Sequence, residues 1–111
     1  MKQTRLLLLL LVCVSASHAQ WFPQNSGTTA HLVSVHFENA NNGWAVGGAR
    51  DSPSVILHTT NGGTSWTIQL TTWVILSDIF FSDVNNGWVV GRGLDSLQHV
   101  IALILHTTNG G

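Results

Sequence analysis

The sequence predicts an all-β protein built from repeated, four-stranded antiparallel sheets. Three observations predict it. An eight-residue block, Ile56-Leu57-His58-Thr59-Thr60-Asn61-Gly62-Gly63, recurs unchanged 48 positions later as Ile104 to Gly111. A second pattern, Phe37, Asn41-Asn42-Gly43-Trp44 and Val46-Gly47, recurs at a constant offset of 44 as Phe81, Asn85-Asn86-Gly87-Trp88 and Val90-Gly91. Between these blocks short apolar runs alternate with Asn- and Gly-rich turns, and no capped helical periodicity interrupts them.

The N-terminus comes first. Lys2 and Arg5 precede an unbroken apolar run from Leu6 to Val14, and Ser17-His18-Ala19 follows. Basic, apolar, then small is the layout of a secretory signal peptide. The run is shorter than the roughly 20 apolar residues a membrane-spanning helix needs. Residues 1–19 are therefore read as a cleaved signal, and residues 20–111 as an exported chain of the periplasm, thylakoid lumen or medium. A rival reading makes Cys13 a lipid-anchored first residue, but Val12 stands where such a signal needs a small side chain.

The exported part holds Arg50 and Arg92 as its strong cations, against Glu38, Asp51, Asp78, Asp83 and Asp95. A mildly acidic chain without lysine is unsuited to a phosphate backbone, so nucleic acid is not expected as a partner. It has no cysteine after Cys13, which leaves neither disulfides nor thiolate chemistry.

Val33, Val35 and Phe37 alternate with Ser34 and His36, as a half-buried strand should. Asn39 to Gly43 is a turn. Trp44 to Val46 is a second strand, ended by Gly47-Gly48, and Arg50 to Pro53 is a loop. Val55 to Thr59 is a third strand, and Asn61-Gly62 is the sequence of a tight two-residue hairpin. Ser65 to Leu70 is a fourth. The second copy repeats the first three at Ser77 to Phe81, Trp88 to Val90 and Val100 to Thr107. It has gained four residues between Ser96 and Ile104, where a loop absorbs them. A period of 40 to 50 residues is the spacing of β-propeller blades. The expected architecture is thus an incomplete ring, with one blade over 33–70 and an incomplete one over 77–111. Trp21-Phe22-Pro23-Gln24 matches Trp66-Thr67-Ile68-Gln69 at an offset of 45, so residues 21–25 are read as the closing strand of a further blade. Two blades expose sheet edges and faces, so closure is expected to need more blades or self-association.

Thr59-Thr60-Asn61-Gly62-Gly63-Thr64-Ser65-Trp66 resembles the Asp-box, the turn motif of bacterial sialidases and their relatives. Thr59, Asn61, Gly63 and Trp66 fall on its positions, with Asn61 in place of Asp; Thr107, Asn109 and Gly111 repeat the first three. A short side chain with an acceptor oxygen can still bond the N–H groups of its own turn. Together with the Val-x-Phe, Asn-Asn-Gly-Trp-x-Val-Gly and Ile-Leu-His-Thr-Thr-Asn-Gly-Gly-x-x-Trp patterns, the chain from Trp21 to Gly111 resembles the photosystem II stability and assembly factor family. That resemblance implies a propeller. It also implies a protein partner, since members in photosynthetic cells assist photosystem assembly. Relatives elsewhere share the scaffold alone, and the family's basic partner-binding patch has no counterpart here.

No catalytic, metal or cofactor set emerges. A sialidase-type site needs a tyrosine and an arginine cluster, and the sequence has no tyrosine. His58 and His106 recur at one repeat position, which reads as construction rather than chemistry. Trp44, Trp66 and Trp88 recur likewise and read as packing residues. Trp73 breaks the repeat; it is read as covering a blade edge or, alternatively, as an aromatic contact for a partner. The expected function is that of a non-catalytic, protein-binding or assembly module. The alternatives are a piece of a carbohydrate-active propeller enzyme whose catalytic residues lie elsewhere, or a truncated frame without independent activity.

Overall fold

The computed structural model describes residues 19–111, so the expected signal peptide lies, but for Ala19, outside the described residues. The described chain is all-β, in two antiparallel sheets. Strands β1 (Leu32–Phe37), β2 (Gly43–Ala49), β3 (Ser52–Thr59) and β4 (Thr67–Thr72) form the first, in that spatial order. Strands β5 (Ile75–Phe81), β6 (Gly87–Leu94) and β7 (Val100–Thr107) form the second. Every pairing joins neighbours in sequence. Among the described residues no helix is long and apolar enough to cross a membrane.

The turns follow from their polar side chains. Asn39 Oδ1 accepts from the backbone N–H groups of Asn41 and Asn42 at 2.9 and 2.8 Å, closing the β1–β2 turn. Asp83 Oδ1 does the same for Asn85 and Asn86 at 2.8 and 2.9 Å before β6. These bonds stabilise the ionised acid, and with the Asn86 side chain they hold the Asp83 carboxyl below its ordinary pKa. Gly43 pairs with Phe37, and Gly87 with Phe81, across the strands. In each pair the phenyl ring occupies the space a Cβ would need, which explains a glycine inside a strand.

Several boundaries differ from the sequence expectation. β2 runs through Gly47-Gly48 to Ala49, because the register shifts there and lets the glycine pair stay within the sheet. β3 takes in Ser52 and Pro53, leaving Arg50 and Asp51 as the turn. Pro53 is tolerated close to the strand's start. The β3–β4 connection spans Thr60 to Trp66 rather than two residues, since the Asn61 turn is a side-chain-built loop, and β4 accordingly starts at Thr67. β6 continues past Val90 to Leu94, which puts Arg92 within the strand.

The core lies between the sheets. Trp44 and Val46 of β2 are buried with Leu76, Ile79, Phe81 and Val89 of the second sheet, flanked by Ile56, Val74 and Leu105. Alternation along each strand sends the other side chains to the opposite face. On the first sheet that face carries Ala45, Val55 and Leu57, covered by Ala30 and Trp66.

Candidate functional site

The repeated turn is built from side chain to backbone. Thr59 Oγ1 accepts from the Gly63 N–H at 2.9 Å and from Asn61 N–H at 3.3 Å, and donates to Asn61 Oδ1 at 2.8 Å. Asn61 Oδ1 also accepts from the Ser65 N–H at 3.0 Å, and its Nδ2 donates to Ser65 Oγ at 2.8 Å. Gly62 and Gly63 have φ of 69° and 90°, where a side chain is strained. In the second sheet Thr107 Oγ1 bonds Asn109 Oδ1 at 2.9 Å and accepts from Gly111 N–H at 2.8 Å. Each turn is tied to the Asn-Asn turn of its own sheet, through Gly62 N–H to Asn41 O at 3.0 Å and Gly110 N–H to Asn85 O at 2.9 Å.

Trp44, fully buried, stacks on its cross-strand partner His58 with ring centroids 4.7 Å apart and on Phe81 of the other sheet at 3.6 Å. Its indole N–H donates to the Gly110 carbonyl at 3.2 Å. Gln69 Nε2 donates to the same carbonyl at 3.1 Å and lies 3.3 Å from His58 Nδ1. Burial holds the His58 imidazole below its ordinary pKa, and its buried Nε2 has no hydrogen-bond partner. Trp88 stacks on His106 at 4.6 Å, meets no second ring among the described residues, and is 37% exposed. Trp66 is half-buried over Leu57, edge-on to Phe37 at 5.9 Å. The tryptophans that recur in sequence therefore differ in burial, because one has a sheet against it and another does not.

At the seam's other side Ser34 Oγ donates to Asp78 Oδ1 at 2.5 Å. That bond, with the Ile79 N–H on the same oxygen, holds the Asp78 carboxyl below its ordinary pKa.

Trp73 lies between β4 and β5, with 73% of its surface exposed. It lines a pocket of about 170 Å³ together with Arg50, Arg92, Leu94 and Val100. The two arginines of the described residues and the one interior tryptophan that the repeat does not contain thus line one pocket. Neither arginine is in an ion pair among the described residues. Sequence reasoning missed this meeting because the two arginines occupy non-equivalent positions of the repeat. An exposed indole beside two guanidinium groups can hold a carboxylate against an apolar floor. Among the described residues no three His, Cys, Asp or Glu side chains gather as metal ligands.

No family model matches the chain, and neither a curated protein nor a solved structure matches it.

Proposed function

We propose that this chain is an exported, non-catalytic module of β-propeller-type blades that binds or helps assemble another protein. The observation that carries the reading is the pocket of Trp73, Arg50 and Arg92, an exposed aromatic beside two cations that make no ion pair among the described residues. Aromatic and arginine side chains are the residue types that dominate protein-recognition energetics. The stacking of two antiparallel sheets with an internal sequence period of 44 supports the blade assignment. The resemblance to photosystem assembly factors supports a protein as the partner, and the cationic pocket favours an acidic segment of it.

The test is site-specific photo-crosslinking in the producing cell. A photoreactive residue at position 73 should yield a discrete adduct that disappears in Arg50→Ala/Arg92→Ala. The same probe at exposed Thr64, in the turn before β4, should not yield it. Equal adducts from both positions, or none at 73, would reject the reading.

A further inference from the structure

The two sheets meet through one face of each, and each sheet carries a second face that resembles its neighbour's buried one. The second sheet's half of the seam is Leu76, Ile79 and Phe81. Their counterparts 44 positions earlier in the first sheet are Leu32, Val35 and Phe37, which are 43%, 61% and 41% exposed. The first sheet's half of the seam is Trp44, Val46 and Ile56. Their counterparts in the second sheet are Trp88, Val90 and Ile104, which are 37%, 42% and 70% exposed. The described residues therefore display both halves of an interface whose assembled form they already contain.

The polar contacts repeat the point. Across the seam the Gly110 carbonyl takes Gln69 Nε2 and Trp44 Nε1. The corresponding carbonyl, Gly62, takes Gln24 Nε2 at 3.4 Å. Gly63 faces the Gln24 amide as Gly111 faces the Gln69 amide, with no space for a Cβ in either place. Gln24 thus stands, against the first sheet, where Gln69 of β4 stands against the second. Among the described residues the Gly62 carbonyl has no indole donor, and the Trp88 indole has no acceptor of this kind. The second sheet meanwhile presents β7 as an edge strand where the first has β4 laid on β3. Trp21 and Phe22 are 99% and 76% exposed, where the corresponding Trp66 is half-buried on Leu57.

We propose that a second copy of this chain docks head to tail. Its first sheet covers Trp88, Val90 and Ile104, its residues 21–25 pair along the β7 edge, and its Gly62 carbonyl accepts the Trp88 indole. The contact is heterologous, so one free half remains at each end and successive copies add into a ring or a filament. The proposal rests on the seam and not on the Trp73 pocket, so it stands or falls apart from the proposed function.

The experiment is sedimentation velocity on the full chain, purified as the cell leaves it, across a concentration series. Val35→Glu blocks the open face of the first sheet, and Ile104→Glu that of the second; both side chains are mostly exposed, so both variants keep the fold. The wild-type chain should form species heavier than a monomer, each variant should be monomeric, and the two variants mixed should give a dimer and nothing larger. Should either variant lose its β-sheet circular dichroism, Leu32→Lys and Val90→Lys take their places. A wild-type monomer at every concentration is what further sheets of the same polypeptide or a different protein on these faces would give, and it overturns the proposal. A mixture that stays monomeric, or a single variant that assembles like wild type, overturns it too.

Discussion

The indole of Trp44 and the phenyl ring of Phe81 lie 3.6 Å apart at an interplanar angle of 11°, one from each sheet. The pair joins the halves of the core, and the indole N–H reaches on to Gly110 at 3.2 Å. Trp44→Ala should destabilise the chain by about 3–5 kcal/mol, the usual range for emptying a buried aromatic site. Trp44→Phe keeps a ring but loses the donor, and Gln69 still serves Gly110; it should cost about 1 kcal/mol for the missing bond, plus the smaller ring's lost contacts. Urea unfolding followed by circular dichroism measures both.

Asn61 stands where the resembling motif has Asp. Its Oδ1 accepts from Thr59 and Ser65, and only its Nδ2 bond to Ser65 Oγ needs an amide. A carboxylate would accept from the Ser65 hydroxyl instead. Asn61→Asp should therefore change stability by less than about 0.5 kcal/mol, while Asn61→Ala, which removes every side-chain bond, should cost about 1–3 kcal/mol. Equal losses in the two variants would show that the turn is held by something other than this acceptor.

Burial of His58 should make the chain less stable in acid. Its folded-state pKa is lowered by burial, from a value of 6.5. Above 6.5 both folded and unfolded forms are neutral, and the group has no effect. As pH falls through that value the unfolded chain takes up the proton and the folded one resists, so folding loses stability until the folded imidazole protonates as well. The urea midpoint should fall between pH 8 and pH 5 (about one to two units either side of an ordinary histidine), and the fall should shrink in His58→Gln. An unchanged fall in that variant would assign the acid sensitivity to other groups.

Gly27 and Gly63 both have positive φ, 74° and 90°, but only Gly63 has an amide against it. Gly27→Ala should cost about 1–2 kcal/mol for backbone strain alone. Gly63→Ala should cost more, and truncating Gln24 to alanine beforehand should recover part of that excess. A double-mutant cycle between positions 24 and 63 should show at least about 0.5 kcal/mol of coupling, as contacting residues do. An additive result would mean that residues 21–25 do not rest on the Gly62–Gly63 turn in solution.

The strand content was legible in the sequence because alternation and Asn-Gly turns are local signals. β7 lies at Val100–Thr107 as the pattern indicates, and β1 begins one residue before Val33. The ends of β2 and β6 were not legible. Gly47 and Gly48 weaken a strand by propensity, yet the β2–β3 register shift retains them, and register is a property of two strands. The seam was half legible. Recurring tryptophans announced packing, but burying Trp44 and leaving Trp88 open depends on which sheet has a neighbour. Gln24 and Gln69 stood at corresponding positions in plain view, and only the folded chain shows both amides on glycine carbonyls. The meeting of Trp73 with Arg50 and Arg92 left no pattern, since it joins three separate connections and strands through space.

Pairing only between sequence neighbours has a consequence in time. Each sheet closes through short connections, so it can zip strand by strand as the chain is delivered. The seam cannot. It waits for Phe81, and its last hydrogen bonds wait for Gly110, by which point the first sheet is already complete with Trp44 and Val46 uncovered. The interval between the two arrivals is when the chain is most exposed to wrong partners, and its length is set by the speed of delivery and not by the strength of any contact.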